Sequence, residues 1–203
     1  MKLFYNKFLL AEISLLAGVI IAFSSVYWLS DGQEQLADGL IRLHVVANSD
    51  TTFDQDLKLV VRDQVLLAAE ELYPEGASYD EISTILTTQL PHLQEVGQSV
   101  AGEYPVTAEL VELWFPTKVY ENFSLPAGIY TALQVTIGEG EGENWWCVAY
   151  PPLCVGAASM TLEQAVEAGS FTNAELDLIT GEGYVLKFKS IELLEEVKHF
   201  FSK

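Results

Sequence analysis

Residues 139–154 read EGEGENWWCVAYPPLC, and the rest of the chain has to accommodate this stretch. It holds both cysteines, the adjacent tryptophans Trp145 and Trp146, and the adjacent prolines Pro151 and Pro152. Trp145 to Tyr150 has the aromatic and β-branched character of a short strand. Pro151 ends that strand, because proline has no N–H to offer a ladder and pushes the residue before it into an extended conformation. Cys154 follows Cys147 at a spacing a tight loop can close. In an oxidising compartment the pair reads as a disulfide, worth about 2–3 kcal/mol by loop-closure entropy. The alternative is two buried thiols acting as small apolar groups. No second Cys or His pair lies nearby, which argues against a metal site.

The compartment is read from the other end of the chain. Lys2 and Lys7 precede an apolar run from Ile13 to Trp28 that contains no charged residue. This pattern is that of a secretory signal peptide or an uncleaved N-terminal anchor over residues 1–30. Ala22 and Ser24 fit the small-residue rule for cleavage after Ser24, although Glu12 interrupts the start of the run. Lysines on one side place the bulk of the chain outside the cytoplasm, which favours the disulfide. Residues 31–39 read as a polar linker, and 40–203 as a single extracytoplasmic domain.

Charge narrows the choice of partner. Ten Lys and Arg stand against 29 Asp and Glu, for a net charge of −19. Such a chain does not bind nucleic acid by neutralising phosphates, and an anionic membrane surface repels it. The expected membrane contact is through residues 1–30, if they stay attached. A protein partner steered to this surface should be basic.

Within the domain, Leu40 to Ala47 reads as a strand with Ile41, Leu43 and Val45 on one face and Arg42 and His44 on a polar face. Asn48-Ser49-Asp50 is a turn cluster. Asp50, Thr51 or Thr52 caps the helix that follows to Leu72, with Asp54 and Asp56 in its first turn. Lys58 and Arg62 continue the Asp54 face at i,i+4 spacing. Ser78 and Glu81 have capping-box spacing for a second helix, and Pro91 either kinks it or starts a new one. Val106 to Phe115 and Ile129 to Ile137 read as strands. Gly138 to Asn144, with Glu139, Glu141 and Glu143 between glycines, reads as a flexible anionic hairpin loop into the Trp145-Trp146 strand. Thr161 to Ala168 fits a short helix, Tyr184 to Phe188 a last strand and Glu192 to Phe201 a terminal helix. The sum is an α+β domain, an antiparallel sheet with helices packed on one face.

Few residues invite chemistry. His44, His92 and His199 have no partner at metal-ligand spacing. Asp50, Asp54 and Asp56 lack the glycine and bidentate glutamate of a calcium loop, and helix capping accounts for them more simply. No cofactor is expected, and no catalytic residue is assigned. Trp145 and Trp146 point to opposite faces, so that one serves the core and the other is a candidate surface anchor. The candidate partner-binding residues are therefore Asn48, Asp50, Asp54, Glu139, Glu141, Glu143, Trp145 and Trp146, with Cys147 and Cys154 as the disulfide. From residues alone, an exported binding module is favoured over an enzyme.

Two blocks carry a family resemblance. IRLHVVANSDTTFDQDLKLVVRD, residues 41–63, and FPTKVYENFSLPAGIYTALQVTIGEGEGENWWCVAYPPLC, residues 115–154, resemble the two signatures of the stage II sporulation protein R family. The ANSD turn and the GEGEGENWWCVAYPPLC run are the specific parts. The resemblance implies a signal made in the forespore of an endospore-forming bacterium and exported to the space between the two membranes. There it would trigger a membrane-embedded aspartic peptidase that matures the sigma-E precursor. The alternative class is an exported peptidoglycan hydrolase, with Asp50 or Asp54 as acid or base and a Trp as sugar platform. Release of fragments from peptidoglycan by purified protein discriminates the two.

Overall fold

The computed structural model describes residues 12–18, 20, 36–120, 123–154 and the isolated positions 164, 165, 172, 176, 179 and 180. The expected strand over 184–188 and the terminal helix over 192–201 lie outside these residues. Of the helix expected over 161–168, positions 164 and 165 are described and are helical. Residues 12–18 are also helical, and no helix among the described residues is long and apolar enough to cross a membrane.

The chain runs β1 (Ile41–Val46), α1 (Thr52–Glu70), α2 (Tyr79–Ala101), β2 (Val106–Phe115), β3 (Lys118–Val119), β4 (Ser124–Leu125), β5 (Gly128–Ile137) and β6 (Asn144–Tyr150). This is the expected α+β class. The four-stranded sheet has the order β2-β5-β1-β6 and is mixed rather than wholly antiparallel. β1 runs parallel to β5, with Leu43 opposite Leu133, and antiparallel to β6, with Leu43 opposite Cys147. β3 and β4 form a separate two-stranded ribbon. The segment from β5 to β6 is thus no hairpin, because β1 lies between the two strands it joins.

Both helices lie on one face. Ile41, Leu43 and Val45 of β1 meet Val61, Val65, Leu86 and Leu93 of the helices in the larger core. Full burial of each such side chain stabilises the fold by about 1.5–3 kcal/mol before entropy is counted. Ser78 and Glu81 form the expected capping box. α2 passes through Pro91 as one helix and stops at Gly102. The opposite sheet face is covered as well. Leu36, Leu40, Phe115, Phe123, Tyr130, Val148 and Leu153 make a second core there. Leu36, in the stretch read as a linker, belongs to this packing.

The second core overturns the reading of Arg42 and His44 as a polar face. Arg42 is fully buried and His44 is 7% exposed. Alternation with apolar neighbours marks a solvent face only where one side of a strand is wet, and β1 is central with both sides covered. The Arg42 guanidinium sits 4.4 Å from the Phe115 ring centroid and 5.0 Å from that of Tyr130. Its Nε donates to the Cys147 carbonyl at 3.0 Å and one terminal nitrogen to the Tyr120 hydroxyl at 2.8 Å. Aromatic faces and neutral acceptors replace the carboxylate such a buried cation usually requires.

Candidate functional site

The site follows from strand direction. Because β1 is parallel to β5, both end at the same edge of the sheet, where β6 begins. The Asn48-Ser49-Asp50 turn and the 138–143 loop therefore meet, and they are tied by hydrogen bonds. Asn48 Oδ1 accepts from the Glu139 N–H at 3.0 Å, and the Asn48 carbonyl from Glu141 N–H at 3.2 Å. Gly142 N–H donates to the Ala47 carbonyl at 2.9 Å. Asp50 Oδ1 accepts from Glu143 N–H at 2.7 Å. The loop expected to be flexible is thus clamped through its backbone, and the side chains of Glu139, Glu141 and Glu143 face solvent.

Asp50 does not cap the helix. Thr51 does, its hydroxyl accepting from the Asp54 N–H at 3.3 Å. Asp54 instead braces the turn from below: its carboxylate accepts from the Ser49 hydroxyl and, at 2.9 Å, from Asn48 Nδ2. These bonds, Ser49 first, hold the Asp54 carboxyl below its ordinary range. The sequence pattern placed Asp54, Lys58 and Arg62 in i,i+4 pairs, but each finds another partner. Lys58 Nζ reaches across to the Glu143 carbonyl at 2.8 Å and also donates to Gln55 Oε1. Burial lowers the Lys58 pKa, while Glu143 and Asp50 oppose that shift. Gln55 Nε2 donates to the Ser49 carbonyl at 2.9 Å. Arg62 pairs with Asp63 at 2.7 Å and lies 4.3 Å over the Trp145 ring.

The two tryptophans do point to opposite faces, and both are half-buried. Trp145 packs with the helix-side core, and Trp146 with the second core. Trp146 stacks on His44 with centroids 4.0 Å apart and rings 2° from parallel. His44 Nε2 donates to Asn144 Oδ1 at 2.8 Å, and burial lowers its pKa. Cys147 and Cys154 are bonded, with Cα atoms 5.3 Å apart, which fixes the chain just after β6.

The arrangement brings Asn48, Asp50, Asp54, Glu139, Glu141 and Glu143 together at one end of the sheet, with Trp145 at its margin and Trp146 on the far face. Sequence reasoning missed Ser49, Gln55 and Lys58 as parts of the clamp. A lysine inside a helix of so acidic a chain was the available signal for Lys58. Chemically, the end is a rigid anionic knob. Asp50 and Asp54 are both engaged in holding backbone and turn, and a carboxyl held below its normal range is a poor general acid near neutral pH. Among the described residues no group of three His, Cys, Asp or Glu could hold a metal.

No solved structure matches. The chain is 30% identical over 201 residues to the stage II sporulation protein R of Bacillus subtilis (strain 168), covering 92% of this chain and 90% of that protein. That relative is named as a sporulation protein and not as an enzyme. The family model for stage II sporulation protein R matches residues 37–160, which span the larger core, most of the second core, the clamp and the disulfide. The chain belongs to the stage II sporulation protein R family.

Proposed function

We propose that this protein is an exported signal of endospore formation that activates a membrane-embedded aspartic peptidase, leading to maturation of the sigma-E precursor. It acts between the forespore and mother-cell membranes, either released or held by its N-terminal segment. Activation is by binding, and the clamped end of the sheet is the surface that binds. The observation that carries this reading is the meeting of the two family-like segments, 41–63 and 115–154, in one hydrogen-bonded unit. The backbone N–H groups from Gly138 to Glu143 are all consumed internally, and the carboxylates of Glu139, Glu141 and Glu143 are left to face outward. A basic receptor patch would meet them, with faster association than an uncharged surface gives.

Precursor processing in cells co-expressing peptidase and substrate tests the proposal. Deleting this chain should abolish processing. Asp50→Asn retains an acceptor for the Glu143 N–H but removes a charge, and should weaken activation while the fold persists. Replacing Glu139, Glu141 and Glu143 by Gln should slow association most at low salt. If these variants fold, reach the export compartment and support wild-type processing, this end is not the signalling surface.

A further inference from the structure

The solvent face of α1 has a pattern that the clamp does not use. Among the described residues between 36 and 154 the exposed large apolar side chains are Phe53, Val60, Leu67, Val119 and Ile129. Three of the five lie on α1, at 67%, 48% and 42% exposure, and are spaced seven residues apart. Seven residues are nearly two helical turns, so Phe53, Val60 and Leu67 form one line about 21 Å long. The opposite side of α1, with Val61, Val65 and Ala69, is the side already buried in the core. Singly scattered exposed apolar residues are ordinary, whereas these three share one stripe of one helix.

The flank of this line is acidic at the same spacing. Asp56, Asp63 and Glu70 follow each apolar residue by three positions and so lie beside it on one side. Asp56 is exposed, Asp63 is half-exposed and shared with Arg62, and Glu70 is half-buried. Glu71 adds a carboxylate at the lower end of the other flank.

We propose that this face of α1 docks an amphipathic helix of a partner protein, one with apolar residues at heptad spacing flanked by lysines or arginines. The seven-residue spacing selects a helix, since such a seam packs against another of the same period. The acid line selects basic flanks. A second copy of this chain would set acid line against acid line, and membrane-surface helices carry basic rather than acidic polar faces. That the docking helix belongs to the activated peptidase rests on the signalling reading above. The docking itself does not.

The test uses the full-length chain in neutral phosphatidylcholine nanodiscs, with empty nanodiscs as blank. The probes are two labelled 21-residue helical peptides with leucine at the seam, one flanked by lysine and one by glutamate. The lysine peptide should bind and the glutamate peptide should not. Val60→Asp should weaken lysine-peptide binding at least tenfold with the melting curve unchanged. Asp56→Lys with Asp63→Lys should reverse the preference between peptides. Equal binding of both peptides, no binding above the blank, or wild-type affinity in Val60→Asp overturns the proposal. So does a concentration-dependent dimer in sedimentation that Val60→Asp abolishes, which would give the face to a second copy. Precursor processing separates the two readings. Normal processing by Val60→Asp with peptide binding lost removes the peptidase as owner of the helix, whereas normal processing in the deletion strain removes the signalling reading alone.

Discussion

Gly142→Ala should be far more damaging than its position in an exposed loop implies. A Cβ added at Gly142 would fall against the Ser49 carbonyl oxygen, with the Ser49 carbonyl carbon at 2.6 Å and Ala47 Cβ at 2.9 Å. Two of these neighbours are backbone, so no side-chain rotation relieves the contact. Turn and loop must separate, which strains the Gly142 N–H bond to Ala47 and the Glu143 N–H bond to Asp50. Overpacking costs about 1–3 kcal/mol and weakening the two bonds about 1 kcal/mol together, so we expect about 3 kcal/mol in all. For a chain of this size that lowers Tm by about 6–12 °C. Gly76→Ala is the control. Its φ of +70° disfavours a side chain, but nothing lies within 4 Å, so the cost is about 1–2 kcal/mol. Circular dichroism melts of the oxidised proteins measure both. If Gly142→Ala melts within about 2 °C of wild type or at the Gly76→Ala temperature, the turn and loop are not packed as described. The same variant should also lose precursor processing in proportion to the disruption of the clamp.

Three further outcomes are expected. Reducing the Cys147–Cys154 bond should destabilise the chain by about 2–3 kcal/mol, and native exported protein should show no alkylatable thiol until reductant is added; two free thiols by intact mass would refute this. His44, held below its ordinary pKa by burial, resists a proton that the unfolded chain accepts. Its contribution is therefore complete above about pH 6.5 and lost as pH falls from there toward the folded value, so His44→Phe should flatten the fall in Tm on acidification, and an unchanged slope would count against it. Arg42→Lys should cost about 2 kcal/mol or more, because an ammonium cannot stack between Phe115 and Tyr130 while donating to both Cys147 and Tyr120; a denaturant midpoint equal to wild type would refute that.

Much of the local structure was legible because its causes are local. The capping box at Ser78 and Glu81, the strand end at Pro151, the apolar run of β2 and the β-branched residues of β5 are each decided by neighbouring residues. The closeness of Cys147 and Cys154 in sequence made their bond readable once export was inferred. Even the candidate site was partly visible, since turn-forming residues around Asn48 and the glycines and glutamates of 138–143 do little for a core.

What the sequence by itself determined was therefore the two long helices and the four strands of the main sheet, though not the β3–β4 ribbon, together with the α+β class, the favoured disulfide pair and the resemblance to a sporulation family. The tertiary structure decided how they are ordered. No local signal shows that β1 inserts between β5 and β6, because strand pairing is fixed by which faces can be buried together. That insertion makes β1 parallel to β5 and brings Asn48 and Asp50 to the 138–143 loop. It also places β1 in the centre with a core on each side, so Arg42 and His44 are buried although their alternation with Ile41, Leu43 and Val45 is that of a solvated face. The job of Lys58 was hidden for the same reason: its acceptor is the carbonyl of Glu143, 85 residues away in sequence, and only packing of α1 on the sheet brings the two within a hydrogen bond.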